Sequence, residues 1–116
     1  MAHYEYSIRR SFVADHFHDL PGFQEARHGH NWEIQAAVSL ADPREEARLD
    51  AFLDAWIAGV DYGLLNARPN LSPRNPTAEA LALGAFRDLG REGFQPNWVR
   101  IREKANYWAL CRGAEA

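Results

Sequence analysis

Histidines concentrate in one short part of this sequence, and their side chains could bind a metal. Four of the five histidines in the chain fall in that window: His16, His18, His28 and His30. Imidazole nitrogens are common zinc ligands, and three convergent imidazoles with one open position are typical of a catalytic zinc site. The alternative is that these are ordinary histidines at a strand end. The fifth, His3, is isolated near the terminus and is predicted to be a surface residue.

The residues around these histidines alternate between two types of side chain. Over 4–18 and again over 28–40, even positions carry mostly apolar residues or histidine, and odd positions carry mostly polar residues. A period of two predicts a β-strand with one buried face. Residues 19–27 contain a Pro-Gly pair and are predicted to form a loop.

Pairing of the two strands would bring the histidines together. In an antiparallel hairpin, His16 and His18 lie at the same end as His28 and His30. Residues i and i+2 of a strand share a face, so all four imidazoles can lie on the face that carries the apolar residues. The sequence therefore predicts a metal site at the loop end of the hairpin, with all four histidines as candidate ligands.

Two helices are predicted in the middle of the chain. The first covers residues 42–59, with an Asp-Pro start and a glycine near its end. The second covers residues 76–90 and is capped by Asn75 or Thr77. The segment 62–75 between them is rich in Asn and Pro and is predicted to be a loop.

Two further strands are predicted near the C-terminus. They cover residues 98–103 and 107–112, with a tight turn at 104–106. The order strand, strand, helix, helix, strand, strand fits an α+β domain whose helices cover one face of a four-stranded antiparallel sheet. With 116 residues, we expect one domain over 1–116.

Composition excludes several classes of protein. The formal charge is -3 and no run of Lys or Arg exceeds two, which argues against binding to nucleic acid or to a membrane surface. No apolar stretch approaches the roughly 18 residues of a membrane span, and the N-terminus lacks a signal-peptide pattern. A single cysteine excludes an intrachain disulfide framework and favours a cytoplasmic location.

A cupin is a rival interpretation of the histidines. Gly22, His28, His30 and Glu33 resemble part of the cupin metal-binding motif. A cupin would need another histidine in a later strand, and no histidine follows His30. The two central helices also disagree with that all-β fold.

Five segments, in this order, resemble motifs of one known family: Phe12-Val13-Ala14-Asp15-His16, His28-Gly29-His30-Asn31-Trp32, Val60-Asp61-Tyr62-Gly63-Leu64-Leu65-Asn66, Pro76-Thr77-Ala78-Glu79 and Val99-Arg100-Ile101-Arg102-Glu103. The sequence is similar to the 6-pyruvoyltetrahydropterin synthase family, which includes the bacterial 6-carboxytetrahydropterin synthases of queuosine biosynthesis. Each motif is short, and the order and spacing of all five carry the resemblance.

The resemblance implies a fold, a metal and an assembly. The fold is the T-fold, or tunnelling fold, with the order ββααββ. The implied cofactor is Zn2+, with His16, His28 and His30 as ligands, while His18 is either close to the site or a rim residue. Family members join their sheets into homo-oligomers, usually hexamers built as dimers of trimers, with sites at subunit interfaces. The exposed edges of a lone sheet give such assembly a physical reason.

The chain departs from the family at two positions that move protons. The usual catalytic cysteine is replaced by Gln24, which cannot act as a base, and the only thiol, Cys111, is predicted to be a small core residue. The family's Asp-His pair appears as Asp61-Tyr62. A tyrosine with a pKa near 10 cannot shuttle protons at neutral pH without a large shift.

Glu25 partly compensates for these losses. It lies three residues before the His-Gly-His motif, which resembles a subgroup in which glutamate replaces cysteine as the base. Those enzymes shorten the side chain of dihydroneopterin triphosphate to give 6-hydroxymethyldihydropterin, a folate precursor. The alternative is that Glu25 is a solvated loop residue.

Two further residues are candidates for substrate binding. The resemblance implies that Glu103 accepts hydrogen bonds from the amino and ring N–H groups of a pterin. The alternative for Glu103 is a surface ion pair with Arg100 or Arg102. Thr77 could support the ring or act only as a helix cap. Trp32 is predicted to be a core residue rather than a stacking residue.

The resemblance therefore implies a zinc-dependent lyase that acts on dihydroneopterin triphosphate, by triphosphate elimination or by side-chain cleavage. Its candidate catalytic residues are Glu25, Asp61 and Tyr62. One alternative is a non-catalytic pterin- or purine-binding zinc protein that has lost the cysteine and histidine of the proton-transfer set. Another is a structural zinc protein with a closed ligand shell that includes His18.

Overall fold

One long β-hairpin dominates the computed structural model, in which strands β1 (Tyr4–Leu20) and β2 (Phe23–Leu40) pair antiparallel. The structure describes residues 3–20, 22–67 and 76–113, and at 18–20 and 23–24 it describes the backbone alone. Inward-facing residues alternate with outward-facing ones along both strands, as the sequence predicts.

The hairpin turn is tighter than predicted. The expected loop over 19–27 is wrong, because Leu20 pairs with Phe23 and both strands continue to the turn. Gly22 has a φ of 78°, a left-handed conformation that glycine adopts without steric cost. One residue of this kind reverses the chain within a short turn, so the backbone groups on either side stay paired.

The sheet has five strands in the order β3-β1-β2-β4-β5. Strands β4 (Gln95–Lys104) and β5 (Tyr107–Cys111) continue the antiparallel pairing from β2. The two-residue strand β3 (Gly63–Leu64) lies parallel to β1 at the opposite edge. The prediction of four antiparallel strands is therefore wrong, since the sheet is mixed. A strand of two residues is too short to show alternation, so no sequence pattern distinguishes it within the predicted loop 62–75.

Two helices cover one face of the sheet. A 3₁₀ turn (Pro43–Glu45), capped by the carboxylate of Asp42, leads into α1 (Glu46–Val60). Helix α2 (Ala78–Arg91) begins after Thr77, whose side chain caps it, while the alternative cap Asn75 lies outside the described residues. Within the described part of the chain, neither helix is long and apolar enough to cross a membrane.

The core lies between the helices and the inner face of the sheet. Inward-facing strand residues pack against apolar residues of both helices: Phe12, Ala14, Trp32, Ile34, Ala36, Val38, Val99, Ile101, Leu49, Leu53, Leu81, Ala85 and Leu89. The predicted core residue Trp32 is fully buried, and Cys111 packs half-buried at the margin of the core. The imidazoles of the hairpin continue this inner face toward the turn, so the core supports the candidate site directly.

Candidate metal centre

Three imidazoles converge at the turn end of the hairpin. His16 of β1 lies directly opposite His28 of β2, and His30 lies two residues further along β2 on the same face. One ring nitrogen from each side chain lies within 4.8 Å of the others. His16 is fully buried, whereas His28 and His30 are half-buried. The three rings therefore form a cluster that is fully buried on the side of His16.

Backbone carbonyls fix how two of these rings are turned. Nδ1 of His16 lies 2.8 Å from the carbonyl oxygen of Pro76, and Nδ1 of His28 lies 2.8 Å from that of Ala26. A carbonyl can only accept, so each Nδ1 carries the proton and each Nε2 of a neutral ring holds a lone pair. Both lone pairs point into the cluster, as metal ligation by Nε2 requires.

The facing nitrogens fit a cation. The Nε2 atoms of His16 and His28 are 3.0 Å apart. Two lone pairs at this distance repel each other unless a proton or a metal ion lies between them. Imidazole nitrogens bound to one tetrahedral Zn2+ at 2.0–2.1 Å lie about 3.3 Å apart. The spacing and the nitrogen donors therefore suit zinc with little movement.

Burial and the neighbouring groups favour the neutral form of one of these imidazoles, that of His30. Burial lowers the pKa of His30, the nearby His16, His28 and Lys104 lower it further, and Glu103 opposes the shift. A metal ligand must be neutral imidazole, so this shift helps binding near neutral pH. Oε1 of Glu103 lies 3.3 Å from Nε2 of His16 and 4.0 Å from Nε2 of His30.

Aromatic packing holds the rings from the core side. The indole ring of Trp32 meets the rings of His16 and His30 edge-on, at centroid distances of 5.0 and 5.5 Å. The indole N–H donates to the carbonyl oxygen of Ala14 at 3.1 Å, which fixes the position of the ring. A buried, hydrogen-bonded aromatic of this kind limits how far the imidazoles can rotate.

A bulge in β2 brings Glu25 to the cluster. The register shifts between His16 and His18, so that Phe17 of β1 faces two residues of β2, Ala26 and Arg27. The extra residue reverses the alternation of β2 before His28, and Glu25 reaches the face that carries the imidazoles. Its Oε1 lies 3.4 Å from Nε2 of His28. Glu25 therefore lies in strand β2 rather than in a loop, and its side chain is 40% exposed.

Gly29 allows the strands to approach each other closely between two of the imidazoles. A Cβ atom at this position would lie 2.7 Å from Oδ1 of Asp15 on the neighbouring strand. Asp15 is held in turn by Arg27, whose Nε donates to Oδ2 at 2.8 Å. The glycine between the two histidines therefore leaves room for a cross-strand ion pair on the outer side of the site.

Glu103 lies at the imidazole cluster, and the two arginines considered as its ion-pair partners contact other residues. Arg100 donates from Nη2 to the side-chain oxygen of Gln35 at 2.6 Å, and Nη2 of Arg102 lies 3.6 Å from Oε2 of Glu33. These arginines lie on the outer face of the sheet, whereas Glu103 faces the imidazoles and is only 14% exposed. The surface ion pair proposed as an alternative for Glu103 is not what this geometry supports.

Of three other predicted site residues, two make structural hydrogen bonds and one is exposed to solvent. Asp61 accepts a hydrogen bond from the amide of Val13 at 2.9 Å, and Tyr62 points to solvent with 84% of its surface exposed. Neither contributes to the group of converging metal-binding atoms found among the described residues. Oγ1 of Thr77 accepts from the amide of Ala80 at 3.1 Å, so this hydroxyl acts as a helix cap. The side chains of His18 and Gln24 lie outside the described residues.

The sequence did not point to two groups that shape the site. The carbonyl of Pro76 orients His16, and a backbone group of this kind leaves no side-chain signal. Asn66 bonds the backbone of Phe17, next to His16, although its segment was predicted to be a loop. Asn66 lies in one of the five family-like segments, which was the only signal that could have drawn attention to it.

Comparisons with known proteins identify the family and the fold. A model of the 6-pyruvoyl tetrahydropterin synthase family matches residues 5–114. An Archaeoglobus fulgidus protein named "Putative 6-carboxy-5,6,7,8-tetrahydropterin synthase" is 29% identical over 112 residues, which cover 90% of this chain and 92% of that protein. The 6-pyruvoyl tetrahydropterin synthase of Caenorhabditis elegans has a similar structure, with a TM-score of 0.80 and 19% identity over 98% of both chains.

A solved variant of the Plasmodium vivax 6-pyruvoyltetrahydropterin synthase also shares the fold. It is described as a catalytic residue mutant in which alanine replaces a glutamate. Its TM-score with this chain is 0.74 at 12% identity, over 96% of this chain and 98% of the other.

Proposed function

The chain belongs to the 6-pyruvoyl tetrahydropterin synthase family, and from this premise we propose that it is a zinc-dependent enzyme that acts on dihydroneopterin triphosphate. The reaction we propose is cleavage of the substrate side chain, with Glu25 as the base. One observation carries the proposal: the carboxylate of Glu25 lies 3.4 Å from a nitrogen of His28, beside three converging imidazoles. A carboxylate beside this cluster could act as the base for a hydroxyl of a substrate bound next to the imidazoles.

In this proposal the metal is held by Nε2 of His16 and His28 together with His30. Zinc held by these residues would supply Lewis-acid polarisation of the side-chain hydroxyls of a pterin. The carbonyls of Pro76 and Ala26 keep two of the rings in the tautomer that leaves Nε2 free. Because His16 is fully buried, water is excluded from that side of the cluster.

Glu25 takes the proton of a substrate hydroxyl in the proposed reaction. Once that proton is removed, the electron pair on oxygen forms a carbonyl, and the adjacent carbon–carbon bond breaks toward the pterin ring. The carbon that stays on the ring is then protonated, and the triphosphate leaves with the shorter fragment. The name of the Plasmodium vivax variant assigns a catalytic role to a glutamate in that protein, which is consistent with a glutamate base here.

Glu103 orients the substrate in the proposed complex. Its carboxylate accepts hydrogen bonds from the amino and ring N–H groups of the pterin, and such charge-assisted pairs are stronger than neutral ones. Because Glu103 lies within 4.0 Å of two imidazole nitrogens, a ring held by it has its side chain next to the metal position. Glu103 would therefore orient the pterin ring relative to the three imidazoles.

Product analysis after mixing zinc-loaded protein with dihydroneopterin triphosphate tests the proposal. We expect about one zinc per chain and 6-hydroxymethyldihydropterin as the product, identified by liquid chromatography and mass spectrometry. Replacing the base in Glu25→Gln should lower turnover by roughly 10²- to 10⁴-fold, the usual contribution of general base catalysis, with zinc content unchanged. The matched control is Glu92→Gln, an exposed glutamate at the end of α2, which should turn over normally.

Two results would contradict this assignment. If triphosphate is released and the side chain stays uncleaved, the reaction is an elimination and not the proposed cleavage. Full turnover by Glu25→Gln would show that another group is the base.

A second candidate is a pterin- or purine-binding protein without catalysis. The positions of two candidate catalytic residues favour it. Asp61 accepts a hydrogen bond from a backbone amide and Tyr62 points to solvent, so neither is placed to transfer a proton at the imidazole cluster. This candidate predicts zinc and tight ligand binding without product, together with loss of ligand binding in Glu103→Ala. Absence of any product under conditions in which a cysteine-containing relative turns over would support it over the enzyme.

A further inference from the structure

We infer that Asn66 is a positioning residue for the metal ligand His16, acting through the backbone of Phe17. The carboxamide of Asn66 bonds both backbone groups of Phe17: the Phe17 amide donates to Oδ1 at 3.0 Å, and Nδ2 donates to the Phe17 carbonyl at 3.1 Å. One side chain thus completes a pair of hydrogen bonds that a neighbouring strand would normally supply. The inference rests on the proposed function only in that the site binds zinc.

Asn66 extends a short strand that could not reach His16 by itself. Strand β3 pairs with β1 only at Ala14 and Asp15, because the chain turns into a 3₁₀ helix (Leu65–Ala67) directly after it. On the other side of these two paired residues, the carboxylate of Asp61 accepts a hydrogen bond from the amide of Val13. The side chains of Asp61 and Asn66 therefore fasten β1 on both sides of the two paired residues.

The hydrogen bonds from Asn66 are most important at Phe17, because the pairing of β1 with β2 on the other side is irregular there. Phe17 faces the bulge formed by Ala26 and Arg27, where the ladder between β1 and β2 loses its regular register. Without Asn66, the backbone after His16 would depend on an irregular pairing alone. The bulge brings Glu25 to the site but interrupts the regular hydrogen bonding of β1. The side chain of Asn66 provides replacement hydrogen bonds at the same point.

The position of His16 depends on this backbone. Its Nδ1 must stay 2.8 Å from the carbonyl of Pro76 while its Nε2 faces His28 at 3.0 Å. Metal sites require ligand positions held within about 0.5 Å, which packing and hydrogen bonds behind the ligands must provide. Loss of such a supporting contact typically lowers metal affinity about 10- to 100-fold.

Zinc affinity measured by competition with a chelator tests the inference. We expect Asn66→Ala and the similarly shaped Asn66→Leu to bind zinc about 10- to 100-fold more weakly than the parent chain. With Co2+ in place of zinc, both variants should show shifted visible absorption bands, which report ligand geometry rather than stability. Far-UV circular dichroism and urea denaturation establish that each variant is folded under the conditions of the measurement.

The matched control is Asn97→Ala. Asn97 also makes two cross-strand hydrogen bonds, accepting from Ser39 at 3.1 Å and donating to Glu5 at 2.9 Å, but it lies at the far end of the sheet. We expect a comparable loss of stability in this variant with unchanged zinc affinity and an unchanged Co2+ spectrum.

Three outcomes would overturn the inference. The first is parental zinc affinity in both Asn66 variants. The second is an equal loss of affinity in Asn97→Ala, which would trace the effect to general destabilisation. The third is failure of both Asn66 variants to fold, which would assign the residue to the fold rather than to the site. A parent chain that binds no zinc would instead contradict the proposed function itself.

Discussion

One extra residue in a strand decides which side chain can act beside the imidazoles. By simple alternation, Glu25 would lie on the face opposite His28 and His30. The bulge opposite Phe17 reverses that alternation and brings the carboxylate to 3.4 Å from His28. The same bulge leaves the carbonyl of Ala26 where it can orient His28. The positions of the Glu25 carboxylate and of the Ala26 carbonyl therefore both follow from one bulge.

Glu79 and Tyr107 form a second residue-scale contact, between the first turn of α2 and β5. The Tyr107 hydroxyl donates to Oε1 of Glu79 at 2.5 Å. This hydrogen bond, more than partial burial and the nearby charges of Glu79 and Glu103, raises the pKa of Tyr107. The neutral phenol is therefore favoured in the folded chain.

Tyr107→Phe should remove an alkaline dependence of stability. Because the folded pKa exceeds the unfolded value of about 10, the contribution is complete below pH 10 and is lost as the pH rises through the folded pKa. We expect the variant to lose about 1 kcal/mol or less at pH 8, since the pair is partly exposed, and to lose less at higher pH. Urea denaturation at pH 8 and above pH 10 measures both values, with Tyr4→Phe as control. An equal difference at the two pH values would contradict the assignment.

At the scale of elements, the start of α2 serves both the fold and the site. Thr77 caps the helix through Oγ1, and the preceding residue, Pro76, offers its carbonyl to His16. Pro76 is also fully buried, so its carbonyl is fixed by packing. The cap therefore helps to hold the group that selects the tautomer of His16.

Thr77→Ala should destabilise the chain by about 1 kcal/mol, the usual cost of losing an N-cap hydroxyl. Thr77→Ser keeps an oxygen at the same place and should retain most of the stability. Chemical denaturation of the three proteins measures the difference. If Thr77→Ser is as unstable as Thr77→Ala, the threonine methyl group rather than the cap carries the effect.

The sequence predicted the elements whose patterns are long. Alternation over 4–18 and 28–40 identified both hairpin strands, and the shared face of i and i+2 residues placed His16, His28 and His30 together. It missed features that depend on one or two residues. The pairing of Gly63–Leu64, the bulge opposite Phe17 and the carbonyl of Pro76 are all set by tertiary contacts and leave no periodic signal.

At the scale of the whole molecule, the two faces of the sheet differ in what they contact. The inner face is covered by α1 and α2, whereas in the described part of the chain no element covers the outer face. On that outer face Arg100 stacks over the ring of Trp108 at 4.0 Å, and Trp108 and Leu110 remain 42% and 43% exposed. Strand β5, which carries both residues, is also an edge of the sheet.

An exposed edge strand with apolar side chains favours pairing with another chain. We therefore expect this protein to form a homo-oligomer, with a mass in solution above the 13.2 kDa of one chain. Light scattering coupled to size-exclusion chromatography measures the mass directly.

Leu110→Lys adds a charge to the β5 edge and should shift the protein toward smaller species. The control Ala58→Lys, on the exposed surface of α1, should leave the mass unchanged. A monomeric parent at tens of micromolar would contradict the expectation, and an unchanged mass for Leu110→Lys would exclude this edge as the contact.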